Sequence, residues 1–162
     1  MEHPEFRKAF LALIGNEGGY VNHSEDPGGE TKFGISKRSY PNLDIKNLTL
    51  DKAQDIYYQD FWLVCHCDKM PYAVAFEVFD AAVNHGPAKA IMLLQQALKV
   101  ADDGIIGAIT IRAIAMADPN DLLLRFEGYR LKFFTKLQKW DTFGRGWANR
   151  VADNLLRDAE NN

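Results

Sequence analysis

From Pro71 to His85 almost every position is apolar or small, with Val74, Phe76, Val78, Phe79, Ala81, Ala82 and Val83 spread around the circumference of any helix they form. A helix that is apolar all round has no face to offer water, so it must lie inside a shell of other elements. This run predicts a mainly α fold, a helical bundle around a buried central helix. Gly86-Pro87 ends the run and starts another helix through Ala90, Ile91, Leu94 and Leu98.

The other helices read as the wrapping. Phe6, Ala9, Phe10, Leu13 and Ile14 recur at helical spacing after Pro4, and Thr49 is placed to cap a helix through Asp51, Ala53, Ile56, Tyr57 and Phe61, closed by Trp62. Asp102-Asp103-Gly104 reads as a turn, Thr110 as the cap of a short helix through Ala117, and Asp118-Pro119 as the start of a long amphipathic helix to about Trp140. A last helix is expected after Gly146. Strand signals are confined to a short hairpin between Phe33 and Ile45, and the sequence holds no repeats or low-complexity tracts. With 162 residues, 47% of them hydrophobic, the chain can bury a core as one domain or as two closely packed helical lobes.

A net charge of −3 argues against non-specific nucleic-acid binding, and it also withholds a strong overall basic field that would draw the chain to an anionic polymer. Lys and Arg are nevertheless frequent between residues 125 and 157, so a local basic groove is compatible with an acidic total. No stretch reaches bilayer-spanning length, and Met1-Glu2-His3 lacks the basic start and apolar run of a signal peptide, which predicts synthesis in the cytoplasm and no membrane insertion. Cys65 and Cys67 are too close in sequence for an unstrained disulfide, consistent with reduced thiols. Cys65-His66-Cys67 lacks the usual spacing and a second ligand pair, so no metal and no other cofactor is expected.

The chemistry concentrates near the N-terminus, in Asn16-Glu17-Gly18-Gly19-Tyr20 and Asp26-Pro27-Gly28-Gly29-Glu30-Thr31. Glu17 continues the apolar stripe of the first helix, and Gly18-Gly19 is suited to ending that helix, so the expectation places Glu17 in its last turn. Partial burial and the helix C-terminus would both raise its pKa, as a general acid for glycoside cleavage requires. Asp26 precedes a Pro-Gly-Gly reversal that can aim it back toward Glu17, although it reads equally as a turn-forming Asp. Nine extended residues reach roughly 30 Å. A catalytic carboxylate pair needs about 5 to 9.5 Å, so a chain reversal is required. Thr31 has a hydroxyl that can hold a nucleophilic water.

Glu17-Gly18-Gly19-Tyr20-Val21-Asn22-His23, Asp26-Pro27-Gly28-Gly29, Thr31 and Phe33-Gly34-Ile35-Ser36 together resemble the N-terminal signature of the glycoside hydrolase family 108 N-acetylmuramidases, found in bacterial and prophage endolysin-like proteins. Phe79-Asp80-Ala81-Ala82-Val83-Asn84-His85-Gly86 resembles that family's helical segment. Asp103-Gly104-Ile105-Ile106-Gly107 with Thr110 resembles the turn of its C-terminal peptidoglycan-binding region. The resemblance implies a lysozyme-superfamily fold, a catalytic region over residues 1–93, a helical peptidoglycan-binding region over 94–162, and Glu17 as general acid. It further implies cleavage between N-acetylmuramic acid and N-acetylglucosamine in peptidoglycan, with Asp26 as base or stabiliser. The order Glu17, Asp26, Thr31 is similar to the phage-type lysozyme arrangement, with a slightly shorter gap between Asp26 and Thr31. A wall hydrolase made in the cytoplasm needs a holin or secretion machinery as partner.

Further substrate contacts are expected at Tyr20, as a stacking face, at Asn22, as an amide donor to an N-acetyl group, and at His23 as a titrating group. Asp80 and Asn84 lie four apart on one face of the central helix, where they are either bonded internally or open onto a cleft. Two other functions fit the same residues. One is a non-catalytic peptidoglycan-binding or secretion-assisting protein, and the other a lytic transglycosylase or chitinase-like enzyme.

Overall fold

The computed structural model describes residues 3–15, 19–22 and 29–160, which form two compact units divided after Trp62. Seven α-helices, a π-helical and a 3-10 turn, and one two-stranded hairpin make up the regular structure among the described residues, so the mainly α class is correct.

In the first unit, α1 (Pro4–Ile14) begins with Pro at its first turn and buries Phe6, Ala9 and Phe10. It ends earlier than the sequence suggests. Gly15, at φ 56°, turns the chain and donates its N–H to the Leu11 carbonyl at 3.0 Å, so the helix stops at Ile14, and the expectation for Glu17 falls outside the described residues. α2 (Leu50–Tyr57) starts at the expected Thr49 cap, whose hydroxyl accepts from the Lys52 N–H, and runs into a π-helical turn, Tyr58–Trp62. Phe6 packs edge-on to Trp62 and Phe10 edge-on to Tyr57, with centroids 5.5 and 5.4 Å apart. Each ring so buried contributes about 1.5–3 kcal/mol from area alone.

β1 (Thr31–Lys32) and β2 (Ile35–Ser36) pair antiparallel, Thr31 with Ser36 and Lys32 with Ile35. The hairpin thus begins two residues before the segment expected to hold it, because Phe33-Gly34 forms the turn. Both residues have positive φ, 51° and 76°, the pattern of a type I′ turn. Tyr57 fixes this turn from α2 by donating its hydroxyl to the Phe33 carbonyl at 3.0 Å.

In the second unit, a short 3-10 turn (Cys67–Lys69) leads to α3 (Tyr72–His85), every residue of which from Val74 to Ala82 is buried. This is the central helix that the apolar run predicted. α4 (Pro87–Leu98) and α6 (Pro119–Thr135) pack on it and on each other. Between them lies α5 (Ala108–Met116), which begins after Gly107; Thr110 sits inside the helix and does not cap it. Its buried hydroxyl instead lies 3.2 Å from the Gln95 amide nitrogen, and Gln95 also accepts the Gly104 N–H at 2.9 Å, fixing the Asp103-Gly104 turn.

α6 starts at the Asp118 cap as expected but ends at Thr135, and α7 (Trp140–Glu160) begins six residues before Gly146. Gly144 and Gly146 are helix interior here. The reason lies in Trp140, whose indole covers Gly144 so closely that a Cβ there would come within 2.6 Å of the ring. Trp147 stacks on Phe134 at 5.1 Å and completes the aromatic corner between α6 and α7.

Gly34→Ala tests the hairpin. The substitution puts a Cβ in a left-handed conformation 2.5 Å from the Tyr57 hydroxyl oxygen. It should lower stability by about 2 kcal/mol in urea unfolding. The loss should shrink in a Tyr57→Phe background, where the clashing oxygen is gone.

Candidate active site

Val21 and Thr31 form an antiparallel bridge in which each N–H donates to the other's carbonyl at 2.8 Å. Val21 and Thr31, on the two sides of segment 23–28, are thereby held against one another. Glu17, Asp26 and His23 themselves lie outside the described residues.

The bridge aligns side chains on both strands. Tyr20, 38% exposed, donates its hydroxyl to Glu30 Oε1 at 2.7 Å. That bond, with the carboxylate's charge, raises the phenol pKa against a smaller opposing bond with Asn22, so Tyr20 is a neutral ring with an anchored hydroxyl. Asn22 is exposed beside it. Thr31 is half-buried, and its hydroxyl lies 3.4 Å from the Gly29 carbonyl, a long bond that competes weakly with any other acceptor. Glu30 was not singled out in the sequence. Its signal is its position directly after the Gly28-Gly29 pair and beside Thr31, where a strand-flanking acid faces the tyrosine across the bridge.

Asp80 and Asn84 differ in placement. Asp80 is only 2% exposed and bonds internally. Arg130 Nη2 donates to its Oδ2 at 2.6 Å, and Arg150 reaches its Oδ1 through Nη2 at 2.7 Å and through Nε at 3.1 Å. Burial pushes the Asp80 carboxyl up, but Arg150 and Arg130 outweigh it and hold the pKa below the ordinary value. The glycan contact expected at Asp80 thus gives way to an ionic tie among α3, α6 and α7, because both oxygens are occupied. Asn84 is exposed and donates to the Asp80 backbone carbonyl at 2.7 Å.

The tie belongs to a larger cluster that the apolar reading of α3 passed over, although Glu77 within that run was its signal. Arg130, fully buried, also lies 3.4 Å from Glu77 Oε2 and 3.5 Å from Glu127 Oε1. Asn154 donates to Glu77 Oε2 at 2.9 Å. Burial drives the Glu77 pKa well up, reinforced by the neighbouring Glu127, so Glu77 is the proton-carrying member. A proton there provides a donor where Glu77 Oε1 and Glu127 Oε2 otherwise have no partner. His85 is pushed down to about 4 by burial and by Arg130, and its neutral ring accepts from Arg130 Nε at 3.3 Å.

Cys65 and Cys67 are free and buried, and burial raises the Cys67 thiol, disfavouring the thiolate a metal would need. Among the described residues no three His, Cys, Asp or Glu side chains are grouped to hold a metal ion. None of the described helices is long and apolar enough to cross a membrane.

The family model for glycosyl hydrolase 108 matches residues 10–86, and the model described as "Predicted Peptidoglycan domain" matches residues 89–152. The solved structure of Brucella abortus SagA superposes with a TM-score of 0.83 at 34% identity, covering 94% of this chain and 92% of that one. The chain belongs to the glycosyl hydrolase 108 family. Membership supports a glycoside hydrolase, and the second match directs the family member to peptidoglycan, as substrate or as bound polymer, and so to the cell wall. No curated protein matches the chain.

Two substitutions test the buried cluster. Arg130→Met removes the buried cation that Asp80, Glu77 and Glu127 surround and should cost about 3–5 kcal/mol in denaturant unfolding. Asp158, at the edge of the cluster, is raised to about 6 by burial against the opposing pull of Arg157. Its folded pKa exceeds the ordinary value of 3.8, so the folded chain binds the extra proton between those values and stability from this group falls as pH rises through that window. Asp158→Asn should flatten that part of the stability profile and raise the melting temperature at pH 7.

Proposed function

We propose that this chain is an N-acetylmuramidase that hydrolyses the β-1,4 bond between N-acetylmuramic acid and N-acetylglucosamine, with Glu17 as general acid. The observation that carries the reading is the family match over residues 10–86, which contains the Glu17-to-Thr31 motif. Glu17 protonates the leaving oxygen as the bond breaks, and the sugar passes through an oxocarbenium-like state. Asp26 activates water or stabilises that charge, and the Thr31 hydroxyl orients the water.

Tyr20 offers its ring to a sugar face while Glu30 holds its hydroxyl, and Asn22 and His23 complete the contacts. Residues 1–93 form the catalytic region and 94–162 the peptidoglycan-holding region. Access to the wall depends on a holin or a secretion apparatus. No cofactor takes part.

Glu17→Gln tests the assignment. The variant should keep its circular dichroism spectrum and melting temperature while losing lysis of purified peptidoglycan by about 10²- to 10⁴-fold. Full lytic activity in a folded Glu17→Gln protein would overturn the role of Glu17. Binding by the wild type with no new reducing ends would favour a non-catalytic peptidoglycan binder, and an anhydromuramic product in mass spectrometry would replace hydrolysis by transglycosylation.

A further inference from the structure

The exposed side of α6 carries Arg125, Gly128, Tyr129 and Lys132 at the spacing that places residues on one helix face, and these four line an open groove of about 230 Å³. Arg125 also borders a second groove, of about 270 Å³, whose wall includes Ala113 and Met116 of α5. Arg125 is therefore common to both grooves. All of these residues fall within the stretch matched by the peptidoglycan domain model.

We propose that this α6 face is a docking surface for peptidoglycan, with Tyr129 stacked on a sugar ring and Arg125 and Lys132 paired with the carboxylates of its peptide stems. The proposal rests on the peptidoglycan reading above and assigns residues to the binding half of it.

Three features support the assignment. First, an exposed aromatic flanked by two cations joins the two recognition elements such a polymer demands, an apolar face for the C–H surface of a pyranose and positive charge for acid groups. Tyr129 is 37% exposed, and Arg125 is tied only loosely, 3.7 Å from an Asp121 that is itself largely in water. Arg125 and Lys132 thus place two cations on the α6 face, with Asp118 and Asp121 confined to the far groove.

Second, Arg125 and Lys132 are seven residues apart, about 10 Å along the helix axis. On a peptidoglycan strand the sugar that carries the peptide stem, and with it the free carboxylates, recurs once per disaccharide, so two cations spaced along the helix can meet successive stems.

Third, Gly128 lies mid-helix, where glycine weakens a helix, although a Cβ would meet nothing within 4 Å. Packing does not require the missing side chain. An open groove floor beside Tyr129 does.

The test compares retention on purified insoluble peptidoglycan for the wild type, Tyr129→Ala, Arg125→Glu/Lys132→Glu and Gly128→Leu, with chitin as the uncharged control. Each variant should be retained about tenfold less, the loss expected when a charge-assisted contact or a buried ring contact is removed. Gly128→Leu is the discriminating variant, since it strengthens the helix while filling the groove; its melting temperature should hold or rise as binding falls. Wild-type retention should weaken with salt on peptidoglycan and be lower on chitin. Variants retained like a wild type that itself binds would overturn the α6 assignment and leave the peptidoglycan reading standing. A wild type that neither binds nor cleaves peptidoglycan would overturn both. Glu17→Gln should be retained normally, which separates this surface from the catalytic region.

Discussion

Arg130 is the residue on which the second unit depends. Its guanidinium is completely buried and lies within 3.5 Å of Glu77, Asp80 and Glu127, while Arg150 and Asn154 bring α7 to the same carboxylates. Burying charge is expensive unless geometry and hydrogen bonds are nearly complete. The cluster meets that condition by dividing its acids into two kinds, Asp80 held ionised by two arginines and Glu77 held protonated beside Glu127. The result is directional, because apolar packing alone lets helices rotate or slide by a turn, whereas a guanidinium among three carboxyl groups admits one register. α3, α6 and α7 are in effect indexed against each other at this point.

The first unit solves a different problem with different means. It has few residues and one small sheet, and its order comes from an aromatic cluster on α1 and α2 together with the hydroxyl of Tyr57 on the hairpin turn. Carbohydrate chemistry tends to sit on such segments, where loops supply acids and the scaffold supplies position. On the peptidoglycan reading the first unit carries the signature acids, while the second holds both the end of the hydrolase match and the aromatic, cation-bearing face of α6.

Much of this architecture is legible in the sequence because the relevant signals are local. The all-round apolar run of α3, the Thr49 and Asp118 caps and the Gly86-Pro87 boundary each depend on a few neighbouring residues. The misjudged boundaries depend on residues that meet only after folding. Gly146 reads as the boundary before the last helix, which instead starts at Trp140 with its indole laid over Gly144, and Thr110 looks like a cap until Gln95 arrives from α4. Asp80 is the instructive case at the candidate site. Four-residue spacing with Asn84 correctly places the pair on one stretch of helix, but only the long-range arrival of Arg130 and Arg150 shows that the acid faces inward. Glu30 escaped notice for the same reason, since its partner Tyr20 is ten residues away across the bridge.

The Val21–Thr31 bridge has a consequence for sequence variation. It is made entirely of main-chain N–H and C=O groups, and any residue except proline can supply both. Relatives are therefore free to change either side chain without losing the pairing. A hydroxyl that recurs at position 31 across such relatives would be kept for something other than strand pairing, so the fold itself provides the baseline against which selection for chemistry at Thr31 becomes readable.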